Sequence, residues 1–76
     1  MQRLIYTAIA EKAPSNYSAY LPDVPGCVAT GRTAEEALKN LRQSLAFHLE
    51  GLKEDGIDPP PPLSIARQIE PDAAVA

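Results

Sequence analysis

The sequence has few of the residues with which very small proteins usually stabilise themselves. It contains one cysteine, Cys27, one histidine, His48, and no tryptophan among 76 residues. A single cysteine excludes an intramolecular disulfide, and a zinc site would need carboxylates for most of its ligands. With three tyrosines and one phenylalanine, the core must consist mainly of aliphatic side chains. So small a core supplies little stability, and we therefore predict self-association as a dimer or tetramer.

An excess of basic charge and a long apolar run are also missing. Seven lysines and arginines stand against ten acidic residues, which gives a net charge of −3. Nucleic-acid-binding domains usually carry a basic stripe, so we expect no direct contact with nucleic acid, whereas a basic protein would be a suitable partner. No segment resembles a secretory signal or is long enough to cross a bilayer. We therefore predict a cytoplasmic protein with no membrane contact, in which Cys27 is reduced.

Three apolar segments in the first half of the sequence predict an antiparallel sheet. Residues 3–10 are rich in residues that favour strands, residues 17–21 alternate in polarity, and residues 27–30 form a short third segment. Residues 11–16 contain proline, serine and asparagine, which are typical of a turn. Residues 22–26 interrupt the sheet, because their two prolines remove hydrogen-bond donors and their glycine permits a positive φ.

A long helix is predicted over residues 34–55. Thr33 is a favourable N-cap, and Glu36 three residues later completes a capping box, in which each side chain bonds the backbone N–H of the other residue. Gly56, directly after the helix, predicts a Schellman ending.

The two sides of this helix differ in composition. One side carries a leucine stripe, which we expect to pack on the sheet: Leu38, Leu41, Leu45, Leu49 and Leu52. Phe47 projects roughly opposite the stripe, where a large apolar side chain either is exposed by chance or contacts another molecule. Gly51, near the same side, would permit the close approach of another backbone. We interpret Phe47, together with Tyr20 and His48, as candidate interface residues.

The sequence after the helix is dominated by four consecutive prolines, residues 59–62. They predict a stiff connector, the alternative being a ligand for a domain with an aromatic groove. Residues 63–70 either return as a last edge strand or form a helical turn at 66–68, and residues 71–76 read as a loose tail. The expected architecture is a single α+β domain over residues 1–70, with a three-stranded antiparallel sheet and one long helix packed across it.

No group of residues is arranged for catalysis, cofactor binding or metal binding. A nucleophilic Cys27 would need His48 as its base, and no motif orients the two. Asp23 and Glu11 are isolated, so no acid–base pair can be named, and no phosphate loop or metal motif is present. We therefore predict no catalytic residue, no cofactor and no metal, and an enzyme that uses Cys27 and His48 is the weakest alternative.

Two sequence blocks, at a fixed distance from each other, resemble the HicB antitoxin family. The first is Tyr20-Leu21-Pro22-Asp23-Val24-Pro25-Gly26-Cys27, and the second is Gly31-x-Thr33-x-Glu35-Glu36-Ala37-Leu38. Seven of these residues form the motif to which we assign a structural role: Pro22, Asp23, Pro25, Gly26, Gly31, Thr33 and Glu36. The resemblance covers residues 3 to about 70. It implies a catalytically inert, partial ribonuclease-H-like fold with the order β-β-β-α-β.

The resemblance also implies a partner. HicA toxins are small, basic, mRNA-cleaving proteins with a catalytic histidine, and the HicB domain covers their active surface. A net charge of −3 suits such a partner, because complementary charge speeds association. The alternative is a homo-oligomeric scaffold or a regulatory domain for another partner.

This sequence departs from the family pattern in two places. Arg32 stands where many family proteins have an acidic residue, so a contact made by that acid is not assumed. Family members that repress their own operon carry a DNA-binding domain after the connector. Here residues 63–76 are too few for a helix-turn-helix, so we expect no operator binding.

Overall fold

Three antiparallel strands and one long helix form the protein, and a computed structural model describes residues 3–72. The strands are β1 (Ile9–Lys12), β2 (Tyr17–Tyr20) and β3 (Val28–Gly31), and the helix is α1 (Ala34–Glu54). The sheet has the order β1-β2-β3, so β2 is central and the other two strands are edges. This arrangement confirms the predicted α+β class with one helix packed on a three-stranded sheet.

The strand boundaries differ from those predicted, most of all at β1. The prediction placed the first strand at residues 3–10, but the ladder starts at Ile9, which pairs with Tyr20, the last residue of β2. The chain turns directly after Tyr20, so residues 3–8 have no partner strand. Neither alternative for residues 63–70, a last edge strand or a helical turn at 66–68, is formed, since the whole segment lies outside any helix or strand. Of the predicted tail, residues 73–76 lie outside the described residues.

The side of the sheet that faces the helix is lined by small residues. The register places Ala10, Ala19 and Ala29 side by side, and Ala19 is completely buried. Gly31 continues this surface: a Cβ atom at this glycine would lie 2.5 Å from the backbone nitrogen of Ala37. Small side chains therefore let the helix backbone approach β3 closely.

Two consecutive β-turns connect β2 to β3. The N–H of Val24 donates to the Leu21 carbonyl at 3.1 Å, and the N–H of Cys27 donates to the Val24 carbonyl at 3.2 Å. Each turn has proline as its second residue, and the second turn has Gly26 as its third, at φ 83°, as a type II turn requires. The turns bring Leu21, Val24 and Cys27, at intervals of three residues, into the core.

The helix starts at a cap that matches the prediction only in part. Thr33 Oγ1 accepts a hydrogen bond from the Glu36 N–H at 3.1 Å, as predicted. The Glu36 carboxylate, however, accepts from the Arg32 N–H at 2.8 Å, and not from Thr33. This bond is the main reason why the pKa of Glu36 lies below its ordinary value, and the Arg32 guanidinium lies 3.6 Å from the same carboxylate.

The end of the helix matches the predicted Schellman motif. Gly56 has φ 68°, and the N–H of Ile57 donates to the Leu52 carbonyl at 2.9 Å. The helix itself ends at Glu54 and Asp55 is its C-cap, one residue before the predicted end.

The leucine stripe faces the sheet along a line slightly different from the one predicted. The centre of the contact is at Ala37 and Leu41, which are 0% and 2% exposed. Leu38 is 36% exposed, and Leu45 is half-buried at the border of the core. The small-residue surface of the sheet explains the difference, because the helix lies closest to the sheet where Ala37 meets Gly31.

Candidate functional site

Asp23 lies in the first of the two turns between β2 and β3. Its side chain bonds Leu63 and Ser64, the two residues that follow the four prolines. Its Oδ2 accepts hydrogen bonds from the backbone N–H of Leu63 at 2.9 Å and of Ser64 at 2.8 Å. Its Oδ1 accepts from the Ser64 hydroxyl at 2.8 Å. We call these three bonds the Asp23 latch. The bonds from Ser64, above all the backbone one, hold the pKa of Asp23 below its ordinary value, because they favour the charged carboxylate.

Tyr6 and Thr7, which precede β1, bond the proline run and Ser64 from the other side. The Tyr6 hydroxyl donates to the Pro60 carbonyl at 2.6 Å, and the Thr7 hydroxyl donates to the Ser64 carbonyl at 3.0 Å. Burial, and then the charge of Asp23, raise the pKa of Tyr6, so its phenol remains a hydrogen-bond donor at neutral pH. The proline run is therefore held near both of its ends.

We expect Asp23→Asn to release residues 63 and 64 from the body of the protein. The amide keeps the size of the side chain but replaces one acceptor oxygen by a donor and removes the charge that strengthens all three bonds. Amide hydrogen exchange at Ser64 should become faster in the variant, while exchange in the helix stays the same. Ser64→Ala removes one bond of the three and should have a smaller effect. Unchanged exchange at Ser64 in Asp23→Asn would contradict the latch.

The same latch should weaken in acid. The pKa of Asp23 in the folded chain lies below its ordinary value of 3.8, so the latch is complete above that pH and is lost as the pH falls through the lowered pKa. The protection factor of the Ser64 amide, which corrects the observed rate for the intrinsic pH dependence of amide exchange, should therefore fall in the unsubstituted protein only below about pH 4.

Sequence reasoning assigns Asp23 a structural role but misses its partner. Asp23 and Ser64 are 41 positions apart. Neither residue belongs to a helical or strand periodicity from which a contact between distant segments could be predicted. A serine after a proline run is equally typical of an exposed linker. Only the folded chain shows that the two side chains meet.

A second feature is a groove between the start of β3 and the second half of the helix. Phe47, 74% exposed, stands on one side of it and Val28 on the other, with His48, Gly51 and Asp55 among the remaining lining residues. We call it the Phe47 groove. Phe47 is exposed, and it borders the same groove as the buried Cys27.

Cys27 and His48, the two residues considered for a catalytic pair, both border this groove. Burial raises the pKa of the Cys27 thiol, which keeps it in the protonated, weakly nucleophilic form. No group of three side chains suited to a metal ion occurs within residues 3–72. The groove therefore offers contact surface and hydrogen-bonding groups, with a neutral thiol beneath them.

One acidic residue, Asp55, lines the groove near the helix C-terminus. Glu54 and Asp58 are exposed close to it in the sequence, with Lys53 as a neighbouring cation. The helix macrodipole favours cations at this end, so the acidic side chains do not stabilise the helix. Asp55 instead adds a negative charge to a groove that also contains the exposed aromatic ring of Phe47.

The candidate interface residues do not all lie together. Phe47 and His48 share the groove. Tyr20 lies on the side of the sheet that faces away from the helix, as the cross-strand neighbour of Val28. His48 is exposed, so it is not part of the core.

A family described as the HicB-like antitoxin of bacterial toxin–antitoxin systems matches residues 6–74. The chain belongs to the HicB-like antitoxin family. The resemblance of the two sequence blocks is thereby confirmed, whereas the ribonuclease-H-like completion by a fourth strand is not seen in residues 3–72.

Several curated proteins are similar to this HicB-like chain. An uncharacterized 14.9 kDa protein of the rep-hol intergenic region of Haemophilus phage HP1 is 40% identical over 52 residues, which is 68% of this chain but only 39% of the phage protein. A UPF0150 protein of Helicobacter pylori is 35% identical over 68% of this chain and 72% of its own length. A UPF0150 protein of Thermotoga maritima is 42% identical over 63% of this chain and 67% of its own.

Two further findings are negative. No solved structure matches the chain. Within residues 3–72, no helix has the length and apolar character needed to span a bilayer.

Proposed function

We propose that this HicB-like protein binds a small, basic, HicA-type toxin in the cytoplasm and neutralises it by covering its RNA-binding surface. The family supplies the antitoxin role. The observation that carries the choice of surface is the Phe47 groove, where an aromatic side chain that is 74% exposed stands beside the acidic end of the helix.

The groove has the features of a protein-binding surface. Aromatic side chains that enter a pocket of the partner commonly dominate the binding energy of an interface. Charged residues at the border contribute more to the association rate and to the choice of partner than to affinity. Phe47 would therefore anchor the complex, while Glu54, Asp55 and Asp58 would attract a positively charged, RNA-binding surface.

The proposed mechanism is steric and needs no chemistry from this chain. A ribonuclease must bring RNA to its catalytic residue, and a protein seated on the same basic surface excludes the RNA backbone. The carboxylates of Glu54, Asp55 and Asp58 near the helix C-terminus would occupy the positions that phosphates take on the toxin. Cys27 and His48 have no catalytic part in this proposal.

Phe47→Ser is expected to weaken toxin binding about thirty-fold, because loss of a hot-spot aromatic costs about 2 kcal/mol or more. The toxin would be the product of an adjacent small basic reading frame, and the affinity would be measured by calorimetry or by rescue of growth on co-expression. Ala46→Ser is the matched control, since it places the same side chain at the neighbouring exposed position of the helix. Equal affinity of both variants, at unchanged helix content, would contradict the proposed surface.

The alternative function, a homo-oligomeric scaffold or regulatory domain, is favoured by a different observation. Apolar side chains of the sheet and of the segment after the prolines are exposed in the single chain. A stable oligomer that binds no HicA-type toxin would support this alternative against the antitoxin proposal.

A further inference from the structure

The segment that follows the prolines carries apolar side chains without any cover. We call residues 63–72 the arm. Leu63, Ile65 and Ile69 are 74%, 73% and 90% exposed. Together with Arg67 they occupy alternate positions, so in an extended chain all four side chains lie on one side. This pattern is typical of a strand with one buried side, yet most of the surface of these apolar side chains is exposed in the single chain.

The side of the sheet opposite the helix is a second apolar surface, and it is covered only in part. The register places Ile9, Tyr20 and Val28 side by side across all three strands. Val28 is 64% exposed, whereas Ile9 and Tyr20 are half-buried. Glu11, which is exposed, follows Ile9 on the same side of β1. We call this surface the open face.

The arm of the same chain leaves Val28 on the open face 64% exposed. The Asp23 latch and Thr7 hold the arm at Ser64, and in residues 65–72 no described hydrogen bond reaches the body of the protein. The molecule measures 51 × 28 × 19 Å, although a helix of 21 residues is only about 32 Å long. Its radius of gyration of 15.1 Å also exceeds the value of about 11 Å for a compact domain of this length. The latch therefore directs the arm away from the body.

We propose that the arm of one copy packs across the open face of a second copy, and that the second copy returns its arm in the same way. Each chain carries one arm and one open face, so a two-fold axis satisfies both surfaces of both copies and leaves no open end. This self-association goes beyond the proposed toxin binding and needs no toxin.

Size and charge favour a second copy as the occupant. The row of Ile9, Tyr20 and Val28 spans two strand spacings, about 10 Å, and Ile65 and Ile69 lie about 13 Å apart in an extended chain. Arg67 lies between these two isoleucines, and Glu11 lies next to the apolar row. The arm thus presents apolar groups and one cation to a surface with an apolar row and one anion.

Sedimentation velocity of the full chain without toxin tests the proposal. The unsubstituted protein should be a dimer, or a tetramer made of such dimers. The double variant Ile65→Ser with Ile69→Ser should dissociate at least ten-fold more readily, at unchanged helix content. The matched control, Ala66→Ser with Gln68→Ser, changes the other side of the arm and should associate normally. A monomeric unsubstituted protein, or equal association of the two double variants, would overturn the proposal.

A cross-linking experiment identifies the contact itself. One protein carries Arg67→Cys and a second carries Glu11→Cys; both positions are exposed and the native Cys27 is buried. Mixing them under mild oxidation should give the mixed disulfide, and Gln68→Cys in place of Arg67→Cys should give much less. Equal yields, or no mixed product, would overturn the proposed contact. The cross-linking experiment and the toxin-binding experiment with Phe47→Ser are independent of each other. A failure of the cross-link would not bear on toxin binding, and a loss of toxin binding would not bear on the cross-link.

Discussion

Leu41→Ala is expected to lower the free energy of unfolding by about 2–5 kcal/mol, the usual range for removing a buried leucine side chain. Leu41 is 2% exposed and, together with Leu21, has the largest side chain among the six buried core residues within residues 3–72. A small domain has about 5–15 kcal/mol of stability in total, so the variant should lose a large part of its folded population. Urea denaturation followed by circular dichroism would measure the change.

Leu38→Ala is the matched control on the same helix. Leu38 is 36% exposed, so its removal should cost clearly less than the removal of Leu41. Equal losses would mean that the helix is rotated toward the leucine stripe predicted from the sequence, and that the contact does not centre on Ala37 and Leu41.

Gly31→Ala should destabilise the protein by about 1–3 kcal/mol, because it inserts a methyl group where the helix backbone already lies. The added Cβ would lie 2.5 Å from the nitrogen of Ala37 and 2.8 Å from the carbonyl carbon of Glu36. Both atoms belong to the main chain of the first helical turn, so no side chain can rotate away. The helix would have to move off β3, and thermal denaturation should show a lower midpoint.

Gly51→Ala separates this steric effect from the general preference of a helix for alanine. A Cβ at Gly51 meets nothing within 4 Å, and alanine is favoured over glycine inside a helix by about 1 kcal/mol. The same substitution should therefore stabilise the protein at position 51 and destabilise it at position 31. Loss of stability at Gly51 would show that this helix side is already occupied, and a gain at Gly31 would contradict the close approach of helix and sheet.

Local features of the fold could be predicted from the sequence because their interactions span only a few residues. The Thr33 cap and the glycine ending at Gly56 depend on atoms three to five residues apart. The exposed position of Phe47 follows from helical periodicity in the same way. These predictions agree with the structure, apart from the carboxylate of Glu36, which bonds the N–H of Arg32.

Features that depend on distant segments could not be predicted. The start of β1 is set by the point at which β2 turns away, and residues 3–8 have strand-like composition without a partner. The centre of the helix contact is set by small residues on three strands, and this moves it from the middle of the leucine stripe to Ala37 and Leu41. Residues 63–70 alternate like a strand, yet no neighbouring strand pairs with them in the single chain.

By itself, the sequence determined the α+β class, the long capped helix, the turn residues and the membership in an antitoxin family, because propensity, capping and motif spacing are properties of short segments. Tertiary structure alone decided that Asp23 holds Leu63 and Ser64 through three hydrogen bonds, that Gly31 lies against the helix backbone, and that Val28 and the apolar side chains of the arm stay exposed. Each of these features depends on which distant segments meet. Within residues 3–72 the core holds six buried residues, so the same contacts also decide which apolar side chains remain for a partner.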